Sequence, residues 1–242
     1  MQTEQVKNKY NQDIPNKFGR NYEQERWFKN DIQCAGYEMT KAAVKRFALA
    51  SDFRDCLELG PGHGTWTKEL LEFAPSAHYD LLDISSEMLG LVRERFAGKA
   101  NIDYIENDFL CFEAKKQYDF FFSSRAVEYI PEKAEVVKKI VELIAPKGRG
   151  FVITKTPKYL RNKLLGRTVP EFHSGQILPN YLAKLFKDSG CKDIKVYPVT
   201  LSWPFWRSAR MNLLLCKIFG GFRLNFLSQF FSESYCVVFR KN

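Results

Sequence analysis

The chain has 242 residues, of which 45% are hydrophobic, 15% aromatic and 27% charged; this is the composition of a folded globular protein, and it excludes a disordered or collagen-like chain. The length suits one large domain and leaves little room for two complete enzymatic domains. The formal charge is +9, so an anionic partner is the first expectation.

That charge is unevenly spread. Residues 1–55 carry 10 basic and 8 acidic side chains, residues 56–147 carry 11 and 16, and residues 148–242 carry 16 and 4. The middle is acidic and the last third strongly basic, which predicts one basic rim rather than a surface generally attractive to polyanions. The six Cys show neither a CxxC pair nor the spacing of a secreted miniprotein, as expected of reduced thiols in a cytoplasmic chain. The polar first 15 residues contain no apolar stretch of signal-peptide type, so export is not expected. Lys217 and Arg223 interrupt the most hydrophobic window, Met211 to Phe231, so no spanning helix is expected, while contact with a membrane surface stays open.

In chain order, Gln24 to Phe47 has helical spacing. Asp55 to Gly60 is a short apolar strand ending in glycine, and Thr65 to Phe73 is a helix. The unit repeats as strand Ala77 to Asp83, helix Ser86 to Phe96, strands Ile102 to Asn107 and Tyr118 to Ser123, helix Glu132 to Ile144, and strand Gly150 to Lys155. Ser85 or Ser86 caps the second of these helices, and Pro131 opens the one before Pro146. Alternating strands and helices predict right-handed crossovers and an α/β fold with a mostly parallel sheet covered on both faces. After a basic loop, Thr156 to Phe172, come helix Leu178 to Ser189, strand Ile194 to Leu201 with an internal proline, an aromatic stretch from Ser202 to Ser232, and a last strand, Tyr235 to Arg240.

The first strand runs into ELGPGHG, with Glu58, Gly60, Gly62 and Gly64. Alternate glycines let the backbone turn tightly and approach a ligand, and the next helix offers free N–H groups. Asp83 ends the second strand, where a carboxylate can accept from both hydroxyls of a ribose. Asn107 and Asp108 follow the third strand, where a carboxylate can accept from an adenine amine. A nicotinamide site would want glycine where Thr65 stands, and Glu58 beside the loop would repel a pyrophosphate. A cationic nucleoside without phosphate, S-adenosylmethionine, suits these acids better.

Through LELGPGHGTWT, LLDISSEML, IENDF and YDFFFSSRAVEYIP the chain resembles the class I S-adenosylmethionine-dependent methyltransferases, and among them the ubiquinone-methyltransferase-like small-molecule enzymes. The resemblance covers residues 55–155 well and continues more weakly through HSGQILPNYLAKLFKDSG. It implies a Rossmann-like class I methyltransferase fold: a seven-stranded, mostly parallel sheet with an antiparallel last strand. On that reading residues 1–242 form a single methyltransferase domain, with an N-terminal helical cap over 1–50, a cofactor-binding core over 55–155 and an acceptor side over 156–242 that carries a helical insertion, 203–232, before the last strand. It also implies that Glu58, Gly60, Gly62 and Gly64 hold the methionine part, Asp83 the ribose and Asp108 the adenine amine, with Ile84 and Phe109 flanking the ring. It gives Pro61 and His63 no particular role.

Methyl transfer is an in-line displacement in which the enzyme mainly aligns the partners and excludes water; a base helps only where the acceptor is a hydroxyl. His173, after the fifth strand, has the pKa range of a base, and equally suits a loop histidine that only makes hydrogen bonds. Ser124, Arg125 and Glu128 follow the fourth strand at the edge where ligands sit; Glu128 is the alternative base or a turn-shaping residue, and Ser124 a further cofactor contact. Tyr22, Arg26 and Trp27 either form a lid or pack a helix on the sheet. No metal-ligand spacing is present, since His63, His78 and His173 are isolated from one another. Neither NDFL nor DFFF has the proline pair of the amino-group methyltransferases, which favours an oxygen or carbon acceptor over a nucleic-acid base.

Lys155, Lys158, Arg161, Lys163 and Arg167 would clamp an anionic acceptor or face solvent. The insertion, WPFWRSARMNLLLCKIFGGFRLNFLSQFFSES, mixes aromatic residues with Arg207, Arg210, Lys217 and Arg223, and suits peripheral membrane contact, a homodimer face or core. The expected partner is therefore a small-molecule or lipid-linked, anionic acceptor, methylated at oxygen. An RNA-modifying enzyme and a non-catalytic membrane-associated adaptor are the competing readings, with nucleic acid the less favoured partner.

Overall fold

The computed structural model describes residues 3–13, 16, 21–157, 166 and 176–242. Most of the predicted basic loop, with Lys158, Arg161, Lys163, Arg167 and His173, lies outside the described residues.

Seven strands form one sheet: β1 (Asp55–Leu59), β2 (His78–Asp83), β3 (Ile102–Glu106), β4 (Tyr118–Ser124), β5 (Ile144–Lys155), β6 (Cys191–Leu201) and β7 (Ser232–Lys241), in the order β3-β2-β1-β4-β5-β7-β6. The first five pair in parallel, and β7 inserts antiparallel between β5 and β6. Helices Thr65–Phe73, Ser86–Arg95 and Lys133–Leu143 make the crossovers, as the alternating pattern predicts. The order of strands reverses between β1 and β4, so the loops leaving them diverge and open a crevice at their carboxyl ends.

Phenylalanine-rich strands fill both faces because neighbouring residues of a strand point to opposite sides. Phe120 and Phe122 pack with Cys56, Tyr79, Leu81 and Phe151, whereas Phe121 packs on the other face with Leu57, Leu82, Val152 and Val237. Tyr118 lies in that second layer and donates its hydroxyl to Asp80 Oδ2 (2.5 Å).

Several boundaries differ from the sequence prediction; β6 and β7 each begin earlier, at Cys191 and Ser232. The single N-terminal helix is a π turn Gln24–Phe28, a helix Asp31–Ala43 and a second π turn Val44–Ala48, and Asn30 caps the middle piece by accepting from Gln33 N. The chain also begins with a helix, Thr3–Asn8, and a π turn, Lys9–Asp13. β5 starts at Ile144 rather than Gly150: Ile144 pairs with Tyr118 directly after the helix, and an irregularity in the ladder absorbs Pro146 and Lys147, the latter at φ 64°, before Arg149 pairs with Phe120. The helix before it begins at Lys133, with Glu132 as its N-cap, so Pro131 precedes the helix instead of opening it. Between β6 and β7 the insertion forms two helices, Ala209–Phe219 and Phe226–Phe231, capped by Ser208 and by an Asn225–Ser228 capping box.

Candidate active site

β1 hands the chain to the glycine loop. Gly60, Gly62 and Gly64 all have positive φ, of 70°, 57° and 74°. At Gly60 a Cβ would stand 2.5 Å from Ala126 Cβ, so the loop after β1 and the loop after β4 touch only because residue 60 has no side chain. At Gly62 a Cβ would meet nothing within 4 Å, and the position lines the crevice; the bare backbone there leaves room for a ligand.

The crevice is a pocket of about 1070 Å³, open mouth included. Gly60, Gly62, Asp83, Ile84, Asp108, Phe109 and Ser124 all line it, brought together from the ends of four strands. Asp83 Oδ1 accepts from Ser85 N (3.0 Å), and Asp108 Oδ1 accepts from Leu110 N (2.9 Å), so both carboxylates are oriented by their own loops. Burial raises Asp83 to about 6, against the amides of Ser85, Ile84 and Gly62, which favour the charged form. Phe109 is buried and packs on Phe121.

Glu58 and Gly64 lie behind the loop and are not among the lining residues. Glu58 is buried, accepts from Thr67 Oγ1 (2.8 Å) and is pushed up to about 8, chiefly by burial, with the nearby Asp83 charge adding to the rise and the Thr67 bond opposing it. With that pKa it is largely protonated at neutral pH, so it anchors Thr67 beneath the loop and brings little charge to the site. Glu128, likewise, does not line the pocket. It is buried, and its Oε2 accepts from Arg125 Nε (2.9 Å) and Lys155 N (3.1 Å), while its Oε1 has no hydrogen-bond partner among the described residues. Arg125 itself lines the pocket, in the left-handed region at φ 70°.

The N-terminal segment supplies a wall. Tyr22, Arg26 and Trp27 line the pocket, joined by Val6, Tyr10 and Glu23. Tyr10 meets Tyr129 edge to face (5.9 Å), and the Ser85 hydroxyl donates to Asn11 Oδ1 (2.6 Å). Glu23 accepts from Thr65 Oγ1 (2.8 Å) and from Arg95 (2.9 Å), which ties this wall to the glycine loop. Arg26 donates to Tyr22 Oη (3.2 Å) and lies 5.0 Å from the Trp27 ring. Among the described residues no carboxylate comes within ion-pair distance of it; burial works against its charge, while Tyr22, Tyr10, Tyr129 and the buried Glu128 favour it. Burial raises the phenols of Tyr10 and Tyr129, which therefore stay protonated as donors. His63 and Pro61 line the pocket too; His63 Nε2 is buried without a hydrogen-bond partner among the described residues, and burial lowers its pKa.

The pocket is thus two-sided. The ends of β2 and β3 supply acids, and the β4 side with the N-terminal wall supplies Arg26, Arg125 and tyrosines. Tyr10, Tyr129 and Val6 have no local signature in the sequence; only the 15% aromatic content and the YIP run after β4 hint at an aromatic wall. Far from the pocket, at the starts of β2 and β3, His78 lies 3.0 Å from Asp80 and 3.1 Å from Asp103. These three come together only in the fold, and Lys116 stands beside them, 3.8 Å from Asp80.

A parallel sheet reversing between β1 and β4, a glycine turn at the reversal and carboxylates ending the next strands define a nucleoside-binding domain of the class I methyltransferase type. Residues 56–148, which include β1 to β4, match the family described as a methyltransferase domain. S-adenosylmethionine is the cofactor of that class. The donor set fits it: Asp83 and Asp108 face a cationic nucleoside, with bare backbone at Gly62.

The chain is 29% identical over 92 residues to malonyl-[acyl-carrier protein] O-methyltransferase 2 of Ilyobacter polytropus, covering 38% of this chain and 36% of that protein. It is 29% identical over 154 residues to trans-aconitate 2-methyltransferase of Mycobacterium tuberculosis, covering 57% of each. It therefore spans between a third and three-fifths of these curated relatives. Among solved structures, magnesium protoporphyrin IX methyltransferase of Synechocystis with bound SAH superposes with a TM-score of 0.64 at 15% identity, covering 99% of both chains.

Proposed function

We propose that the chain methylates an oxygen of a small-molecule or lipid-linked acceptor that carries an anionic group, using S-adenosylmethionine. The observation that carries the anionic part is Arg26, a pocket-lining guanidinium held by Tyr22, with no carboxylate in ion-pair distance among the described residues and the buried Glu128 acting on it from farther off. A guanidinium withdrawn from bulk water favours a ligand carboxylate or phosphate as its counter-charge. Two relatives named above are O-methyltransferases or act on a named acid, which agrees with this direction.

In this scheme Asp83 and Asp108 hold the ribose and adenine ends, and Ile84 and Phe109 flank the base. S-adenosylmethionine, when bound, supplies a methyl group on a cationic sulfur that departs as a neutral thioether. The acceptor oxygen provides the electron pair of the new bond. Arg26, with Tyr10 and Tyr129 as donors, orients the acceptor, and the aromatic wall keeps water out. An acceptor that is already a carboxylate needs no base; a hydroxyl acceptor needs one, and His173 is then the candidate, since Glu128 lies beneath the pocket lining and is held by Arg125 and Lys155 N.

The test is transfer of labelled methyl groups from S-adenosylmethionine to acceptors paired by charge, each carboxylate or phosphate against its neutral amide or alcohol. Arg26→Met should raise KM for anionic acceptors about 10- to 100-fold, leave kcat little changed and leave cofactor affinity intact. Equal use of neutral and anionic acceptors, or an unchanged KM in the variant, would refute the anionic acceptor.

A further inference from the structure

We infer that the outer face of residues 203–231 docks on the surface of an anionic lipid bilayer. Among the described residues, eight of the twelve exposed large hydrophobic side chains fall between 205 and 227: Phe205, Trp206, Leu213, Leu214, Ile218, Phe222, Phe226 and Leu227. Phe226 is 91% exposed. An apolar concentration of this kind on one segment marks a contact surface, since scattered single exposures are the ordinary case.

The outward orientation is built in. The Ala209–Phe219 helix packs on the Asp31–Ala43 helix and on β6, and buries Asn212 and Leu215. Its opposite side presents Arg210, Leu213, Leu214, Lys217 and Ile218, spaced i, i+3, i+4, i+7, i+8, all exposed. An amphipathic helix normally turns its aliphatic residues to the core; this one mixes them with cations and turns them out. The scaffold beneath is fixed by polar caps and by ring packing. Asn212 Oδ1 accepts from Trp203 N (2.8 Å), Trp203 stacks on Phe231 (5.7 Å), and Asn225 and Ser228 cap the last short helix reciprocally. No helix among the described residues is long and apolar enough to cross a membrane, so the contact is interfacial.

Charge selects the occupant. Arg207, Arg210, Lys217 and Arg223 are all exposed on this segment, and residues 203–232 contain no Asp or Glu. A second copy would bring the same cations against them. An anionic bilayer offers phosphates to the cations and an apolar boundary layer to Trp206, Phe222 and Phe226. The helix on which the face is mounted, Asp31–Ala43, directly follows the Gln24–Phe28 turn that walls the pocket, so one helix connects the face to the pocket's N-terminal wall.

Flotation of the full chain with vesicles of phosphatidylcholine alone, and of phosphatidylcholine mixed with phosphatidylglycerol, tests this. The chain should float with the anionic vesicles and much less with the neutral ones. Each cation near the surface is worth about fivefold in partition, so Arg210→Gln, Lys217→Gln and Arg223→Gln together should lower it about a hundredfold at low salt. Leu214→Ser, Phe222→Ser and Phe226→Ser together should lower it about tenfold or more. Thermal midpoints check folding, and Phe226→Ser alone, at so exposed a position, carries the test if a triple variant misfolds. Wild-type chain that stays down with anionic vesicles, or variants that float as well as wild type, would overturn the proposal. So would a dimer in solution that the apolar variants break.

Discussion

Asp83→Asn separates two effects of one carboxylate. Burial raises the pKa of Asp83 from 3.8 to about 6, against three amide donors. The folded chain therefore retains a proton between about pH 4 and 6 that the unfolded chain has released, so stability falls as pH rises through that window and stays lowered above it. Two pKa units correspond to about 3 kcal/mol, and screening at the pocket mouth brings the working figure to about 1.5–3 kcal/mol. Asparagine keeps the shape without the charge, so the cofactor-free variant should melt about 4–10 °C higher at neutral pH, with the difference shrinking toward pH 4. The same change removes a charged acceptor from the proposed ribose site, worth about 1.5–3 kcal/mol, or about 10- to 150-fold in affinity for S-adenosylmethionine. Scanning fluorimetry from acid to neutral pH reads the first effect and calorimetric titration the second. In the wild type, affinity should rise with pH through about 6 as Asp83 ionises. A variant that melts no higher at neutral pH, or that binds S-adenosylmethionine as tightly as wild type, refutes the argument.

Glu58→Gln preserves a hydrogen-bonding partner for Thr67 and removes a carboxyl raised from 4.5 to about 8 by burial; its stabilisation should grow from about pH 4.5 to pH 8, measured by denaturant titration across that range. Gly60→Ala forces both a positive φ on a residue with a Cβ and a collision with Ala126, and should cost about 2–4 kcal/mol by the same titration at neutral pH, with cofactor binding weakened in step. Tyr118→Phe leaves the buried Asp80 carboxylate short of a donor and should cost about 1–3 kcal/mol, while cofactor affinity stays unchanged because the pair lies outside the pocket.

The elements that could be read from sequence are those whose cause is local. Phe120, Phe121 and Phe122 read as a buried strand because both sides of a parallel strand face a covering layer. The glycine loop, Asp83 and Asp108 read as one site because parallel strands in register put their carboxyl ends, and so the residues that follow them, along one edge of the sheet. Backbone geometry carries that information from a short stretch of chain.

Other features needed the folded chain. The turn of β5 out of its helix at Ile144 depends on a partner, Tyr118, that offers a ladder to a segment whose proline and glycine read locally as a break. Tyr10 and Tyr129 are 119 positions apart, and their contact exists only because the N-terminal segment lies across the pocket. Glu58 and Glu128 look equally available in the sequence, yet packing places both beneath the pocket lining, tied to Thr67 and to Arg125. The +9 that first pointed to a polyanion is divided in the same way: local counts assign the acids to the cofactor segment and the bases to the last third, but only packing turns Arg26 into the pocket and Arg210 and Lys217 outward. Composition sets which groups the chain owns; the direction each one faces is settled by which surfaces must be buried together, a property of contacts distant in sequence.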